Sequence, residues 1–238
     1  MKIAAFEILR FDELESTNTT ALEYAGKGAG KKLVITAQKQ TAGRGRRGRS
    51  WQSLAGNLFF SLLLEYPLKR LGTLIMASAL SIAETIKEYQ ADADVKLKWP
   101  NDVLLNNAKV CGMLLEKGCD EYMVVGIGVN IKQSPQSEEM LYPVISLREA
   151  GITADAEDFL QKYLHRFTDN LQTDAAILRQ KWLQNVKGLG QKITVKQENK
   201  EITGIFAGID ENADLLLQTN GEVQHILAGD VFYVEKNQ

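Results

Sequence analysis

The chain has 238 residues, of which 45% are hydrophobic and 24% are charged, and its formal net charge is −2. This composition is typical of a folded globular protein and excludes a disordered or fibrous chain. The near-zero charge excludes a protein-wide basic field that would attract nucleic acid or an anionic membrane, so any basic site must be local. Two cysteines and two histidines are too few for a disulfide framework or a metal cluster and fit a reducing compartment.

Neither a signal peptide nor a membrane span is predicted from the apolar pattern. Glu7 and Asp12 interrupt the N-terminal segment early, and no later stretch approaches the roughly 18 uninterrupted apolar residues that indicate a transmembrane helix. We therefore expect a soluble, cytoplasmic protein.

The first half of the chain mixes strand and helix patterns. Alternating apolar residues predict a strand over 9–12, and residues 16–20 then offer helix N-caps, with Thr20 and Glu23 spaced as a capping box. A long amphipathic helix is predicted over 73–89. Apolar runs and alternations predict further strands over 33–37, 58–64, 95–99, 103–105, 109–116 and 121–131. The middle of the chain is therefore expected to form a mostly antiparallel sheet.

The pattern changes to helices after residues 133–137. Apolar residues at helical spacing predict helices over 159–171 and 175–182. From Gly188 onward, Gly, Asn and Asp turns separate short strands predicted over 192–196, 201–209, 215–218, 222–227 and 231–234. The sequence thus predicts one domain over 1–187 and a small all-β domain over 188–238.

Residues Gly43–Arg49, with the sequence GRGRRGR, place four guanidinium groups in a seven-residue stretch of a near-neutral chain. Glycine lets a backbone approach a ligand closely, and arginine provides planar, permanently charged forks for phosphate and carboxylate. The stretch predicts a site for a small anionic ligand and a loop that orders when a counter-anion binds. Taken alone, it is equally consistent with a solvated basic loop or a targeting signal.

Other polar motifs accompany this stretch. STN stands at 16–18, KWPND at 98–102, KVCGMLLE at 109–116 and GIGVN at 126–130. Together, in this order, they closely resemble the biotin protein ligases over nearly the whole chain, and the final β segment resembles that family's SH3-like domain. The resemblance implies an α+β fold. Its core would be related to class II aminoacyl-tRNA synthetases, with a mixed sheet and flanking helices, followed by a small SH3-like β-barrel.

The resemblance also implies an activity. Biotin would be activated by ATP, with Mg²⁺, to biotinyl-5'-AMP and then transferred to a lysine of a biotin carboxyl carrier protein or domain, releasing AMP and pyrophosphate. Activation must precede transfer, because a carboxylate is a poor acyl donor until it becomes a mixed anhydride. Arginine and magnesium would offset the charge that develops at phosphorus.

Site roles follow from the same resemblance. The candidate catalytic residues are Arg46, Lys109 and Asp102. Three alternatives are open for Asp102: a Mg²⁺ ligand, a base for the incoming lysine, or a residue that only shapes the turn after Pro100. Biotin contacts are expected from Ser16, Thr17, Asn18, Gln40, Gly43, Arg44, Lys109 and Gly112. Contacts to ATP or the adenylate are expected from Arg44, Arg46, Arg47, Arg49, Trp51, Asn101, Lys109 and Asn130.

Three other interpretations stay open at this point. A lipoate ligase shares the fold and the activation chemistry but would need an apolar tunnel for its substrate. An RNA-binding module could use the Arg-Gly stretch, and a scaffolding protein would leave the co-ordered motifs unexplained. Because Ser16 already belongs to the expected pocket, we expect the monofunctional type, without an N-terminal DNA-binding domain or specific DNA binding. The sequence leaves a homodimer open.

Overall fold

The computed structural model describes residues 2–3, 6–28, 32–135 and 142–233 of the chain. An eight-stranded mixed sheet is flanked by helices and followed by a five-stranded antiparallel sheet. The predicted α+β class is therefore confirmed. Among the described residues, no helix is both long and apolar enough to cross a bilayer.

The large sheet has the strand order β1-β2-β3-β4-β8-β7-β6-β5. Its strands are β1 (Lys2–Ile3), β2 (Phe6–Leu14), β3 (Leu33–Gln40), β4 (Leu58–Glu65), β5 (Val95–Lys98), β6 (Asp102–Leu105), β7 (Ala108–Lys117) and β8 (Tyr122–Val129). Only the β2–β3 pair is parallel among the described pairs, so the expectation of a mostly antiparallel sheet is confirmed. Asn106 and Asn107 both have positive φ in the turn between β6 and β7.

Helices cover both faces of this sheet. The helices are α1 (Thr17–Gly26), α2 (Leu71–Tyr89), α3 (Ala156–Gln172) and α4 (Ala175–Asn185). Side chains alternate across a strand, so Phe60 and Leu62 of β4 pack in the main core with α2 and α3, whereas Leu63 packs in a second cluster with Ala21 of α1. Burial on both faces explains why β4 is apolar almost throughout.

Helix α1 begins at the first of the N-cap candidates that residues 16–20 offered. Its N-cap is Ser16, whose side chain makes no capping hydrogen bond, and Thr20 lies within the first turn. The predicted Thr20–Glu23 capping box is therefore wrong as a helix start. By contrast, Asp155 caps α3 and Asp174 caps α4, each accepting two backbone N–H bonds.

The C-terminal sheet has the strand order β12-β11-β10-β9-β13. Its strands are β9 (Lys192–Lys196), β10 (Glu201–Ile209), β11 (Leu215–Thr219), β12 (Glu222–Ile226) and β13 (Asp230–Tyr233). Residue Val234 of the predicted 231–234 strand lies outside the described residues. Within the described range, β12 and β13 are the two edges and do not pair, so this unit is an open antiparallel sheet there rather than the closed barrel of the resemblance.

Candidate functional site

A cleft lies on the face of the large sheet that α1 partly covers. Three glycines of β7 and β8 form its floor: Gly112, Gly126 and Gly128. A Cβ on Gly126 would lie 2.0 Å from Asn18 Oδ1, and one on Gly128 would lie 2.3 Å from the Trp51 ring. Only glycine lets these two side chains lie directly on the strands, so the glycines of GIGVN shape the floor.

The predicted motifs meet in this cleft, which encloses about 840 Å³ of space, including its open mouth. STN lies at the start of α1, and residues 43–49, here called the arginine loop, follow β3. KWPND lies at the β5–β6 turn, and KVCGMLLE lies in β7. The predicted residues that line it are Ser16, Thr17, Asn18, Gln40, Arg44, Arg46, Arg49, Trp51, Asn101, Asp102, Lys109 and Gly112.

One end of the cleft is a neutral, hydrogen-bonding pocket. Gln40 Oε1 accepts from Thr17 N at 2.9 Å and from Thr17 Oγ1 at 3.1 Å. Ser61 Oγ lies 2.8 Å from Thr17 Oγ1 and 2.5 Å from Asn18 Oδ1. The Ser16 side chain makes no capping hydrogen bond to α1 and lines the same pocket. This arrangement presents fixed donors and acceptors to a small polar group.

Lys109 and Asp102 form an ion pair in the cleft. Lys109 Nζ lies 2.7 Å from Asp102 Oδ1, and it lies 5.4 Å from the centre of the Trp51 ring. The two residues come from paired strands, since Asp102 begins β6 and pairs with Gly112 of β7, the strand that also carries Lys109. The ammonium is thus carried on rigid elements.

Lys98 brings a second ammonium to the cleft. Its side chain is buried against the ring of Tyr142, and this burial lowers the pKa of Lys98 to about 8, although the Asp102 carboxylate opposes the shift. Lys98 belongs to KWPND, yet the sequence analysis assigned it no role.

The arginine loop folds across the cleft, and the chain itself supplies its partners. Arg44 makes a bidentate pair with Glu116, with N···O distances of 2.9 and 2.8 Å. Arg46 Nη1 donates to Asn101 Oδ1 at 3.2 Å and lies 3.5 Å from the Gly229 carbonyl oxygen. Burial lowers the pKa of the Arg46 guanidinium, with Asp230 opposing the shift. Arg46 therefore bridges the loop, the KWPND turn and the C-terminal sheet.

Asp230 of β13 holds the other end of the loop. Its carboxylate accepts from Arg47 at 3.1 Å and also pairs with Arg49. Burial alone would raise the pKa of the Asp230 carboxyl, but the Arg49 hydrogen bond and the nearby guanidinium charges leave it lowered. Asp230 was not predicted as a site residue, because it stands alone in a different sheet, far from any motif.

Three predicted contact residues do not line the cleft: Gly43, Arg47 and Asn130. Gly43 supports the loop by accepting from Trp51 N at 2.8 Å. Asn130 is buried and donates from Nδ2 to the Ile145 carbonyl at 3.2 Å. Their proposed ligand contacts stay predictions.

The described residues also bear on the expected magnesium. No group of three or more His, Cys, Asp or Glu side chains among them could hold a metal ion. Magnesium usually keeps several waters and binds through one or two carboxylates together with substrate phosphates. Asp102 offers one carboxylate, already paired with Lys109. The site therefore fits Mg²⁺ only as part of the complex with ATP, and Asp102 as a metal ligand stays a prediction.

Asp230→Asn tests how the loop is held. We expect hydrogen exchange of residues 43–49 without ligands to become about three- to fivefold faster, because ion pairs of this exposure contribute up to about 1 kcal/mol. Mass spectrometry of the loop peptide measures the effect. Glu201→Gln, which removes the exposed pair with Lys196 in the same sheet, is the control and should leave the loop unchanged. Unchanged hydrogen exchange in Asp230→Asn would show that the Asp230 ion pairs do not hold the loop in place.

The fold and the cleft together define a ligase-type catalytic core, and the comparisons with known proteins agree. Residues 11–130 match the Biotin/lipoate A/B protein ligase family, and residues 188–234 match the Biotin protein ligase C terminal domain. The chain belongs to the biotin protein ligase family.

Individual relatives cover almost all of the chain. A biotin--[acetyl-CoA-carboxylase] ligase of Paracoccus denitrificans is 36% identical, over 92% of this chain and 97% of the relative. The bifunctional ligase/repressor BirA of Bacillus subtilis is 32% identical, over 94% of this chain and 73% of the relative. A biotin protein ligase from Aquifex aeolicus, in complex with biotin and ATP, has a TM-score of 0.81 and 30% identity, over 97% of this chain and 99% of that chain.

Proposed function

We propose that the chain activates biotin with ATP to biotinyl-5'-AMP and transfers the biotin to a lysine of a biotin carboxyl carrier protein or domain. The observation that carries this proposal is one cleft that combines a neutral polar pocket with Lys109 and the arginine loop. The pocket suits the carbonyl and two N–H groups of a ureido ring, and the cations suit a carboxylate meeting a triphosphate. A lipoate ligase would need an apolar tunnel where Thr17, Gln40 and Ser61 stand.

The residues divide the chemistry between positioning and charge. In the first step, a biotin carboxylate oxygen attacks the α-phosphorus of ATP, and pyrophosphate leaves. In the second, the carrier lysine attacks the acyl carbon, and AMP leaves. Lys109 and Arg46 stabilise the negative charge that builds up in both steps, and Asp102 orients the Lys109 ammonium. No side chain of the chain acts as a nucleophile.

The two sheets have distinct parts in this function. We infer a catalytic domain over 1–187 and a C-terminal domain over 188–238, supported by the separate family matches and by the separate sheets. The C-terminal sheet contributes to the cleft through Asp230 and the Gly229 carbonyl, which contact the arginine loop. A cytoplasmic location accords with the free thiols of Cys111 and Cys119.

Incubation with ATP, Mg²⁺ and labelled biotin, with and without a biotin carrier domain, tests the proposal. We expect label on the carrier lysine only when all components are present, with one AMP and one pyrophosphate released per biotin transferred. A carrier with its target lysine changed to arginine is the control. Release of ADP would exclude adenylation, and labelling by lipoate in preference to biotin would move the chain to the other substrate class.

A further inference from the structure

Glu116, near the end of β7, contacts both the polar pocket and the arginine loop. Its Oε1 accepts from Arg44 Nη1 at 2.9 Å, and its Oε2 accepts from Arg44 Nη2 at 2.8 Å. The same Oε2 accepts from Asn18 Nδ2 at 2.7 Å. One carboxylate therefore joins a loop residue to a pocket residue that is distant in sequence.

This carboxylate determines which way the Asn18 amide points. An ionised carboxylate has no proton to donate, and the Leu114 carbonyl oxygen, 3.2 Å from Asn18 Nδ2, is also only an acceptor. The amide nitrogen must therefore face β7, and Oδ1 must face Ser61. Both Asn18 N–H bonds are used within the protein, so Asn18 acts on the pocket through its neighbours.

The direction of the next hydrogen bonds follows from that orientation. Asn18 Oδ1 has no proton, so the single hydroxyl proton of Ser61 is donated to it. Ser61 can then only accept from Thr17, so the single Thr17 hydroxyl proton is directed to Ser61 Oγ or to Gln40 Oε1, and Thr17 Oγ1 keeps acceptor capacity toward the cleft. The Thr17 backbone N–H fixes Gln40 Oε1 as an acceptor independently of Glu116, so Gln40 Nε2 lies toward Ser53.

We propose that Glu116 is a positioning residue, which sets the donor and acceptor polarity of the biotin pocket through Asn18, Ser61 and the Thr17 hydroxyl and ties that pocket to Arg44. The inference rests on the proposed function, because it assigns this polarity to recognition of the biotin ureido group. The Thr17 hydroxyl oxygen is left as an acceptor, which matches a ureido N–H.

Glu116→Gln is the sharpest variant, since it changes the shape of the side chain very little. Whichever oxygen becomes the amide nitrogen, at least one Arg44 bond is lost, because two donors then face each other. The new amide can also turn its nitrogen toward Asn18, which releases the Asn18 amide to turn over. Glu116→Ala removes all three bonds and serves as the second variant.

The measurement is equilibrium binding of biotin by the parent, Glu116→Gln, Ser61→Ala and the double variant Glu116→Gln/Ser61→Ala. We expect Glu116→Gln to weaken biotin binding about ten- to a hundredfold, the loss typical of hydrogen bonds to charged groups. We also expect Glu116→Gln to weaken binding much less in the Ser61→Ala background than in the parent, because the polarity passes through the Ser61 hydroxyl. A purely structural role would make the losses in Glu116→Gln and Ser61→Ala additive.

Glu88→Gln is the matched control, because Glu88 pairs with Arg166 between α2 and α3 and has a side-chain exposure of 29%, against 23% for Glu116. Similar melting temperatures for the two glutamine variants, with biotin binding impaired only in Glu116→Gln, would support the proposal. Biotin binding equal to that of the parent in both Glu116 variants, or losses in Glu116→Gln and Ser61→Ala that add fully, would overturn this inference alone. Failure of the parent to bind biotin would overturn the proposed function as well.

Discussion

Lys109→Ala should slow adenylate formation by about 10²- to 10³-fold while weakening ATP binding much less, because a preorganised cation is most useful where negative charge builds up. The rigid strands that carry Lys109 and its Asp102 partner hold the ammonium in place before substrates arrive. Pyrophosphate release in a single turnover, together with equilibrium nucleotide binding, separates the two effects. Loss of ATP binding alone would contradict this role.

Lys109→Ala also leaves the Asp102 carboxylate without its ion-pair partner. Asp102 has a side-chain exposure of 12%, and without Lys109 its negative charge would face the incoming phosphates unpaired. Part of the loss in Lys109→Ala should therefore come from repulsion by Asp102. The double variant Lys109→Ala/Asp102→Asn tests this, and we expect it to recover part of the lost rate. A double variant slower than Lys109→Ala would instead show that Asp102 has its own part in the reaction.

The sequence predicted most of the fold because its signals are local. The apolar runs of β4 and β8, the alternation along β5 and the apolar stripe of α2 are strong local patterns, and the structure contains each of these elements. The start of α1 was predicted less well, since the polar run at 16–20 offers several caps and Thr17 and Asn18 are held by tertiary partners.

The site residues that belong to sequence motifs were predicted, whereas isolated site residues outside the motifs were not. The arginine loop, KWPND and Lys109 were expected to share a site, and they do line one cleft. Ser61 was missed because it is a lone hydroxyl inside an apolar strand, and Asp230 because its partner Arg49 is 181 positions away. Pairings at such separations depend on how the sheets pack, which no local pattern encodes.

The sequence predicted only in part how the charge of the arginine loop is balanced. Four arginines predicted a need for a bound counter-anion, but Glu116 and Asp230 already provide carboxylates for Arg44, Arg47 and Arg49. Arg46 differs from the other three, since its contacts are to the Asn101 amide and a backbone carbonyl rather than to a carboxylate. It is thus the arginine of this loop best placed to pair with a phosphate.

Arg46→Gly should both slow specific transfer and let more adenylate escape. A biotinyl-adenylate is a mixed anhydride that water or any free amine can consume, so an enzyme waiting for its carrier must keep the intermediate enclosed. Arg46 bridges the loop to Asn101 and Gly229 across the cleft, and its loss removes that closure together with the cation. The glycine also loosens the loop backbone.

The test incubates the Arg46→Gly variant with ATP, biotin and an unrelated lysine-rich protein, and compares bystander labelling per adenylate formed with that of the parent. We expect this ratio to rise several-fold, because each adenylate leaves the cleft before a carrier arrives. Arg46→Ala separates the two causes, since it removes the guanidinium without adding a glycine; a similar rise there would assign retention to the side chain. If the ratio rises in neither variant, Arg46 acts in catalysis alone, and retention of the adenylate has to come from Arg44, Arg47 or Arg49, whose carboxylate partners Glu116 and Asp230 then become the groups to change.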